Sequence, residues 1–547
     1  MNAYYLGIDC STQSLTAMLL EVEDAREHDA SSAVMHNGGG ARSATVAFEH
    51  TLVFDEELPH YGTRHGVLPR EDPLAALSPP LMWAEALERI FAALADSGLD
   101  LSRIRAISGS AQQHGSVYLG DGAAAIMARL DPARPLAEQL VAAPGFFSRS
   151  VSPIWMDAST GVECDEITEA LGGARRLARV TGSRAFERFT GPQIRKFWKA
   201  EPEGWAATAR IHLVSSFLAS LLTGGHAPLE PGDASGMNLM DLHTRDWSMA
   251  ALDATAPDLV DKLPAVVPSS TVVGVPAPYW RERFGLPPAR VVAFSGDNPS
   301  SLIGTGLVRE GTVAISLGTS DTVFGLMHSA RVDSDGTGHV FGAPTGDYMG
   351  LTCFRNGSLA RERVRGEHGL DWAGFGAALR ATPPGNDGAL MFPWFEPEIT
   401  PHVSVPGLRR IDLDAADGPR NVRALVEAQM MAMANHSRWM RVEIDVIHAT
   451  GGAAVNEDIL RVMADVFGAE VRRFEASNSA CLGAALRARH ADALADGRAL
   501  AWEELVRGIA EPGAPAIRPD ARAAAVYDRL RHRYEELEEI ALSGGND

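Results

Sequence analysis

Only three of the 547 residues are lysine, namely Lys196, Lys199 and Lys262, and none of them follows a glycine. A Walker A loop needs Gly-Lys-Ser/Thr and a protein kinase needs a strand lysine in a V-A-I-K setting, so both common phosphate-handling devices are excluded. Gly304-Thr305-Gly306 fails as a dinucleotide fingerprint, because Arg309 stands where the third glycine belongs. Any nucleotide would have to be held by backbone N–H groups, hydroxyls, arginines and a metal ion. Cysteine is scarce as well. Cys10, Cys164, Cys353 and Cys481 are scattered without a C-x-x-C, which argues against a zinc site or a disulfide framework and for a reducing cytoplasm. Positive charge is short: 49 basic residues against 70 acidic ones leave a formal charge of −21, which repels nucleic acid and anionic membrane surfaces. The N-terminus has no basic segment, Asp9 interrupts its apolar run, and no later run reaches roughly 18 apolar residues. Neither secretion nor membrane insertion is expected.

What is present begins with two similar stretches about three hundred residues apart, LGIDCSTQSLT from Leu6 to Thr16 and ISLGTSDTVF from Ile315 to Phe324. Each is an apolar strand that enters a small polar turn and resumes as an apolar, β-branched stretch, which is the pattern of a hairpin. A turn of Gly, Ser and Thr directs several N–H groups and hydroxyls at one point, as a chain of phosphates requires. Two copies suggest two lobes facing one nucleotide. At about 100 to 200 residues per domain, the length allows two large domains or three.

Between and beyond these turns, residues 23–40 are polar and glycine-rich and read as a surface loop. Residues 81–94 place Trp83, Leu87, Ile90, Phe91 and Leu94 at helical spacing. Arg103 to Ser108 reads as a strand running into a polar loop, Gly109 to Gly115, at a strand's carboxyl end, where α/β sheets bind ligands. Residues 132–152 show no clear period, and the proline-rich stretch 264–288 looks like the approach to a domain boundary. A second apolar strand, Val291 to Phe294, ends in Ser295-Gly296-Asp297-Asn298-Pro299. A third, Val446 to Ala449, opens into Thr450-Gly451-Gly452 before a helix bearing Ile459, Val462, Met463 and Val466 on one face. Residues 479–488 read as a helix of small residues suited to close packing.

Eight strings in the same order, FDEELPHYGT, GSAQQHGSVY, SPIWMDAST, GSRAFERFTGPQI, SGMNLMD, SGDNPSSL, ISLGTSDT and ATGGA, resemble the FGGY carbohydrate kinases. These belong to the sugar kinase, actin and Hsp70 fold group. The resemblance spans nearly the whole chain and is most similar to the eukaryotic-type xylulose kinases. It implies an α/β, ribonuclease H-like fold of two domains with a catalytic cleft between them, residues 1–295 holding the sugar and 296–547 holding ATP. The implied reaction is ATP-dependent phosphorylation of a ketopentose, D-xylulose giving D-xylulose 5-phosphate, in the cytoplasm, with Mg²⁺ and with a homodimer left open.

Phosphoryl transfer to a hydroxyl needs a carboxylate to take the proton, a metal to neutralise phosphate charge and donors that hold the transferring group in line. Asp297 matches the family's catalytic aspartate, although Gly-Asp-Asn-Pro is also good turn chemistry. Asp9 is placed to hold Mg²⁺ through water. In the first turn Ser11 replaces the glycine of the family's Asp-x-Gly-Thr, leaving Thr12 and Gln13 for phosphate; in the second, Gly318 and Thr319 match the family. The resemblance assigns the sugar to His114, Arg188, Asp297 and Asn298. Asp157 matches a family aspartate near the sugar, with Ser159 in place of a common arginine, and could instead orient the pocket. For adenosine it points to Gly451, Gly452, Asn456 and Trp372; Asn456 also suits a helix N-cap and Trp372 a core position. The competing readings are another acceptor in the same family, such as ribulose, gluconate or glycerol, a non-catalytic actin- or Hsp70-like ATP switch, and a sensor with a dead kinase site.

Overall fold

The computed structural model describes residues 2–23, 44–474, 478–510 and 515–543. The loop expected over residues 23–40 lies, beyond Glu23, outside the described residues. The chain is mixed α/β and forms two units. One comprises Met1–Val308, Phe341–Tyr348 and Asn478–Glu511; the other comprises Arg309–Val340, Met349–Ser477 and Pro512–Asp547. A single cut between residues 295 and 296 is coarser than this division. The segment beginning at Asp297 packs with the first unit, and the chain returns to that unit near its end.

The first unit is built on strands β1 (Ala3–Cys10), β2 (Ser14–Val22), β3 (Ala44–Val53), β4 (Ile104–Ala111), β5 (Val272–Gly274), β6 (Arg290–Val292) and β7 (Ser295–Gly296). Their order is β5-β6-β4-β1-β2-β3, with β7 continuing beside β4. The expected first hairpin is present: β1 and β2 pair antiparallel from Ala3–Val22 to Cys10–Leu15. β1 is a nearly continuous apolar run because it is central and buried on both faces. Helix α1 (Pro80–Ala95) starts with proline at its first position and buries Trp83, Leu87, Ile90, Phe91 and Leu94 fully, each contributing about 1.5–3 kcal/mol of hydrophobic stabilisation.

β4 runs three residues further than the sequence suggests. Gly109, Ser110 and Ala111 are small enough to go on pairing with β1, and Ser110 and Ala111 pair with β7 on the other side, so the polar loop shortens to Gln112–Gly115. Residues 132–152 hold a short helix, Leu136–Val141, anchored by buried Leu136 and Leu140. The proline-rich stretch 264–288 lies inside the first unit, where it forms β5 and the helix Pro278–Phe284.

Helix α2 (Asp297–Gly304) and helix α3 (Ser479–Ala495) cross at bare backbone. A Cβ on Gly304 would overlap the Ser479 carbonyl oxygen, and one on Gly483 would overlap that of Ser300. Gly7 lets α3 lie directly on β1, since a Cβ there would overlap the Cys481 carbonyl. The small-residue helix expected from the sequence thus packs as its composition suggests.

The second unit repeats the scheme with β8 (Thr312–Leu317), β9 (Asp321–Met327), β10 (Tyr348–Phe354), β11 (Val446–Thr450) and β12 (Glu470–Arg473) in the order β10-β9-β8-β11-β12. β8 and β9 form the second hairpin, and β8 runs parallel to β11. Each polar turn therefore follows a central strand that has an antiparallel partner on one side and a parallel one on the other. Among the described residues no helix is long and apolar enough to cross a membrane.

Candidate active site

In the first unit three parallel strand ends bring the reactive groups together. Asp9 on β1 is in register with Ser110 on β4, and Ser110 with Ser295 on β7, so Asp297 emerges two residues beyond the level of Asp9. The Ser110 hydroxyl donates to Asp9 Oδ1 at 2.6 Å. Burial pushes the Asp9 carboxyl up to about 6, with the Ser110 hydrogen bond opposing. Asp297 opens α2 and is pushed up to about 7, first by burial and then by the negative charge of Asp9; backbone N–H donors, including those of Asn298 and Gln113, oppose the rise. A carboxylate so poised suits proton abstraction near neutral pH.

The acceptors and donors around these acids follow from the loop after β4. His114 sits at φ +74°, and its Nδ1–H donates to the Gly236 carbonyl at 2.7 Å. A carbonyl can only accept, so Nε2 is the ring's unprotonated nitrogen. Burial, then the charge of Arg188, lowers the His114 pKa to about 3 and keeps the ring neutral. The ring lies against Phe189 at 4.6 Å between centroids, and the Arg188 guanidinium lies over Phe186 at 5.0 Å. Asn298 donates to Asp297 Oδ1 from its backbone at 2.8 Å and from Nδ2 at 3.1 Å. The four sugar candidates thus fall in one unit, His114 and Arg188 coupled by charge and Asp297 and Asn298 joined by hydrogen bonds.

The first turn is closed locally, with Ser11 N–H donating to the Ser14 carbonyl at 2.9 Å. Thr12 Oγ1 accepts from the Trp155 indole at 2.7 Å, and the Gln13 side chain is exposed.

In the second unit Gly318, Thr319, Trp372, Gly452 and Asn456 line one cavity of about 730 Å³. Gly451 does not line it. At φ +86° it lets the turn after β11 approach β8, where a Cβ would stand 2.7 Å from the Leu317 carbonyl oxygen. Asn456 caps its helix by accepting from Asp458 and Ile459 N–H at 3.0 and 3.2 Å, so its cap role and its place in the cavity wall coexist. Trp372 is not a core residue: it is 43% exposed, opens the helix Trp372–Ala381 and carries the Arg365 guanidinium 4.7 Å above its ring.

Residues 151–304 match the N-terminal domain of the FGGY family of carbohydrate kinases, and residues 313–491 match its C-terminal domain. The mouse xylulose kinase is 42% identical over 98% of this chain and 94% of its own length. The chain belongs to the FGGY family of carbohydrate kinases. Among solved structures, xylulose kinase from Rhodospirillum rubrum superposes with a TM-score of 0.77 at 19% identity, and gluconate kinase from Lactobacillus acidophilus with 0.78 at 17%, each over 98% of both chains. These two kinases are named for different acceptors, so the shared fold does not by itself select a sugar.

In this FGGY kinase, Asp157 is saturated by protein donors: Ala76 N–H at 2.9 Å, Ser159 N–H at 2.9 Å, Ser159 hydroxyl at 2.5 Å and Gln193 Nε2 at 2.8 Å. It ties the loops together, which favours orientation of the pocket over contact with a ligand. Sequence reasoning missed Ser358, Arg361 and Glu362, which also line the cavity of the second unit. Their i, i+3, i+4 spacing on one helix face was the available signal.

Proposed function

We propose that this FGGY kinase transfers the γ-phosphoryl group of ATP to D-xylulose, giving D-xylulose 5-phosphate, with Asp297 as general base. The observation that carries the reading is the Asp297 carboxyl, raised to about 7 beside Asp9 and surrounded by groups suited to hydroxyls. The full-length likeness to a protein named xylulose kinase supports the choice of ketose. His114 Nε2 and Asn298 Oδ1 would accept from sugar hydroxyls, Arg188 would donate, and Asp297 would accept the proton of the attacking hydroxyl.

Among the described residues no cluster of three or more metal-ligating side chains occurs. Mg²⁺ needs no such cage, since it takes one or two carboxylates and keeps several waters. Two carboxyls held near each other with raised pKa values fit a divalent cation, and Asp9 would hold it. Bound there, Mg²⁺ would supply neutralisation of phosphate charge. Thr12, Gln13, Gly318 and Thr319 would orient phosphates, while Gly451, Gly452, Asn456 and Trp372 would receive the nucleoside. All four cysteines are free, which agrees with a reducing cytoplasm. The first unit, which carries Asp297 and Asn298, would take the sugar, and the second unit would take the nucleoside.

The test is sugar-dependent ADP release over D-xylulose, D-ribulose, gluconate and glycerol, with Asp297→Asn as control. D-xylulose is expected to give the highest kcat/KM, and Asp297→Asn to lower kcat by about a thousandfold or more while ATP binding persists. A clear preference for another acceptor overturns the substrate, ATP turnover indifferent to every sugar favours the switch, and an active Asp297→Asn removes the base.

A further inference from the structure

An asparagine can offer a ligand either an acceptor or a donor, and which one Asn298 offers is decided elsewhere in the first unit. Gln113 Nε2 lies 3.2 Å from the Gly232 carbonyl oxygen, and Gln113 Oε1 lies 2.8 Å from Asn298 Nδ2. The Gly232 carbonyl can only accept, so the Gln113 amide must direct its NH₂ there and its oxygen toward Asn298. Asn298 must then direct its own NH₂ inward, where it also reaches Asp297 Oδ1 at 3.1 Å. The polarity of the chain Gly232 O, Gln113, Asn298, Asp297 is thus set at its far end by a backbone group.

Packing holds this chain in place. Gln113 is 2% exposed, and a Cβ on Gly296 would overlap its Cγ, so the β7 backbone lies flat against the side chain. The segment that presents Gly232 is fixed in turn: Glu230 Oε1 accepts from Asp233 N–H at 2.8 Å, and the Ser295 hydroxyl donates to the same oxygen.

We propose that Gln113 is a positioning residue for the sugar site, orienting the Asn298 amide so that Oδ1 is the face left to a sugar hydroxyl. The inference deepens the function proposed above and rests on it. It makes the hydroxyl that meets Asn298 a donor, and it gives Gln113 an effect on sugar affinity without contact with sugar or ATP.

The test is a kinetic double-mutant cycle of Gln113→Met and Asn298→Ala, run with the sugar that wild type turns over best. Gln113→Met is expected to raise the sugar KM about tenfold, the effect of one or two buried hydrogen bonds, with the ATP KM within about twofold of wild type. Placed on Asn298→Ala, the same change is expected to alter kcat/KM by less than about twofold, because its target is gone. Equal factors in both backgrounds, or a parallel rise in the ATP KM, overturn the proposal. Should Gln113→Met not fold, the protonated carboxyl of Gln113→Glu, assayed on the acid side of the activity range, donates to the Gly232 carbonyl, accepts from Asn298 Nδ2 and is expected to keep the sugar KM within about threefold of wild type at the same pH; a larger rise overturns the proposal. A wild type without sugar-dependent ADP release overturns both readings, whereas a sugar-active wild type with an additive cycle overturns this one alone.

Discussion

Arg361 forks both carboxylate oxygens of Asp321, Nη1 to Oδ2 at 2.8 Å and Nη2 to Oδ1 at 2.9 Å, and neither side chain is exposed beyond 2%. Asp321 opens β9 directly after the second polar turn, so the pair anchors Gly318 and Thr319 to the helix Ser358–Glu367. Burial raises the Asp321 pKa even against the opposing arginine, which marks a site where desolvation is the larger effect. Arg361→Ala is therefore expected to destabilise the second unit by about 3–5 kcal/mol, because it leaves a buried carboxylate without its partner. Pairing Arg361→Met with Asp321→Leu should recover most of that loss. Urea unfolding followed in the second unit checks both, and an Arg361→Ala midpoint equal to wild type refutes the anchor.

The Asp9 and Asp297 carboxyls predict a trade between stability and activity. Their folded values, about 6 and about 7, lie above the ordinary carboxylate value near 3.8. A raised acid binds protons more readily in the folded state, so the cost it imposes is absent below about pH 4 and complete above its folded value. Asp9→Asn removes one charge and relieves its neighbour. In metal-free buffer the variant is expected to melt at least about 2 °C higher than wild type at pH 8, with the gain vanishing toward pH 4, while turnover is lost. A melting shift of equal size at both pH values would contradict the repulsion.

His114 titrates in the opposite sense. Its folded value of about 3 lies below the ordinary value of 6.5, so the native state resists a proton that the unfolded chain takes up. Stability tied to this ring is therefore lost as pH falls from about 6.5 toward 3, at about 1.4 kcal/mol per pH unit. His114→Phe keeps the contact with Phe189 but removes the titration. Its melting temperature relative to wild type should improve between pH 8 and pH 5, and its sugar KM should rise about tenfold or more with the ATP KM unchanged. A melting difference independent of pH would show that the ring is protonated as freely folded as unfolded.

The exposure of Trp372 favours the nucleotide role over the core position that its sequence also allowed. Its ring lies in the cavity wall with Gly452 and Asn456. A base stacked on an aromatic ring gains about 1–3 kcal/mol, so Trp372→Ala should raise the ATP KM by roughly 5- to 150-fold and leave the sugar KM alone. Kinetics at saturating sugar would test it, and an unchanged ATP KM would return the ring to a surface role.

The hairpins were legible because two apolar runs separated by three or four small polar residues have few other folds open to them. The scarcity of lysine was equally informative, since without a lysine after a glycine the Walker A mechanism is closed to the chain. Other features were illegible for one physical reason: their partners are distant in the chain. Gln113 meets Gly232 and Asn298 across separations of 119 and 185 residues, and Arg361 meets Asp321 across 40. Trp372 was legible only as a choice of two roles, because a tryptophan at a helix start reads alike whether it faces the core or a cavity. Local register can also mislead, as β4 does when Gly109 to Ala111 remain in the ladder instead of turning out.

The crossing of α2 and α3 carries the last prediction, because it connects the small-residue helix to Asp297, the proposed base. Gly483 and Gly304 have no left-handed backbone, so alanine is excluded there by space alone. A methyl group on Gly483 meets the Ser300 carbonyl, which belongs to the helix that Asp297 opens. Backbone cannot swing aside as a long side chain can, so α2 must move or α3 must lift from the sheet. The two outcomes differ in what they disturb. Lifting α3 strains its ion pairs, in which Arg105 grips Asp492 and Asp496 at 2.6 and 2.7 Å, and would appear as lost stability. Moving α2 displaces Asp297 relative to Asp9 and would appear as lost turnover. Because α3 is held by those ion pairs at its C-terminal end and by Arg487, which donates to the Gly109 and Ala293 carbonyls at 3.2 and 2.7 Å, the shorter α2 is expected to yield: Gly483→Ala should lower kcat by about a hundredfold, the effect of a misplacement near 1 Å, with ATP affinity retained and a melting temperature within a few degrees of wild type. A variant that melts far lower but turns over normally once folded would show that α3 gives way first and that α2 is the rigid partner.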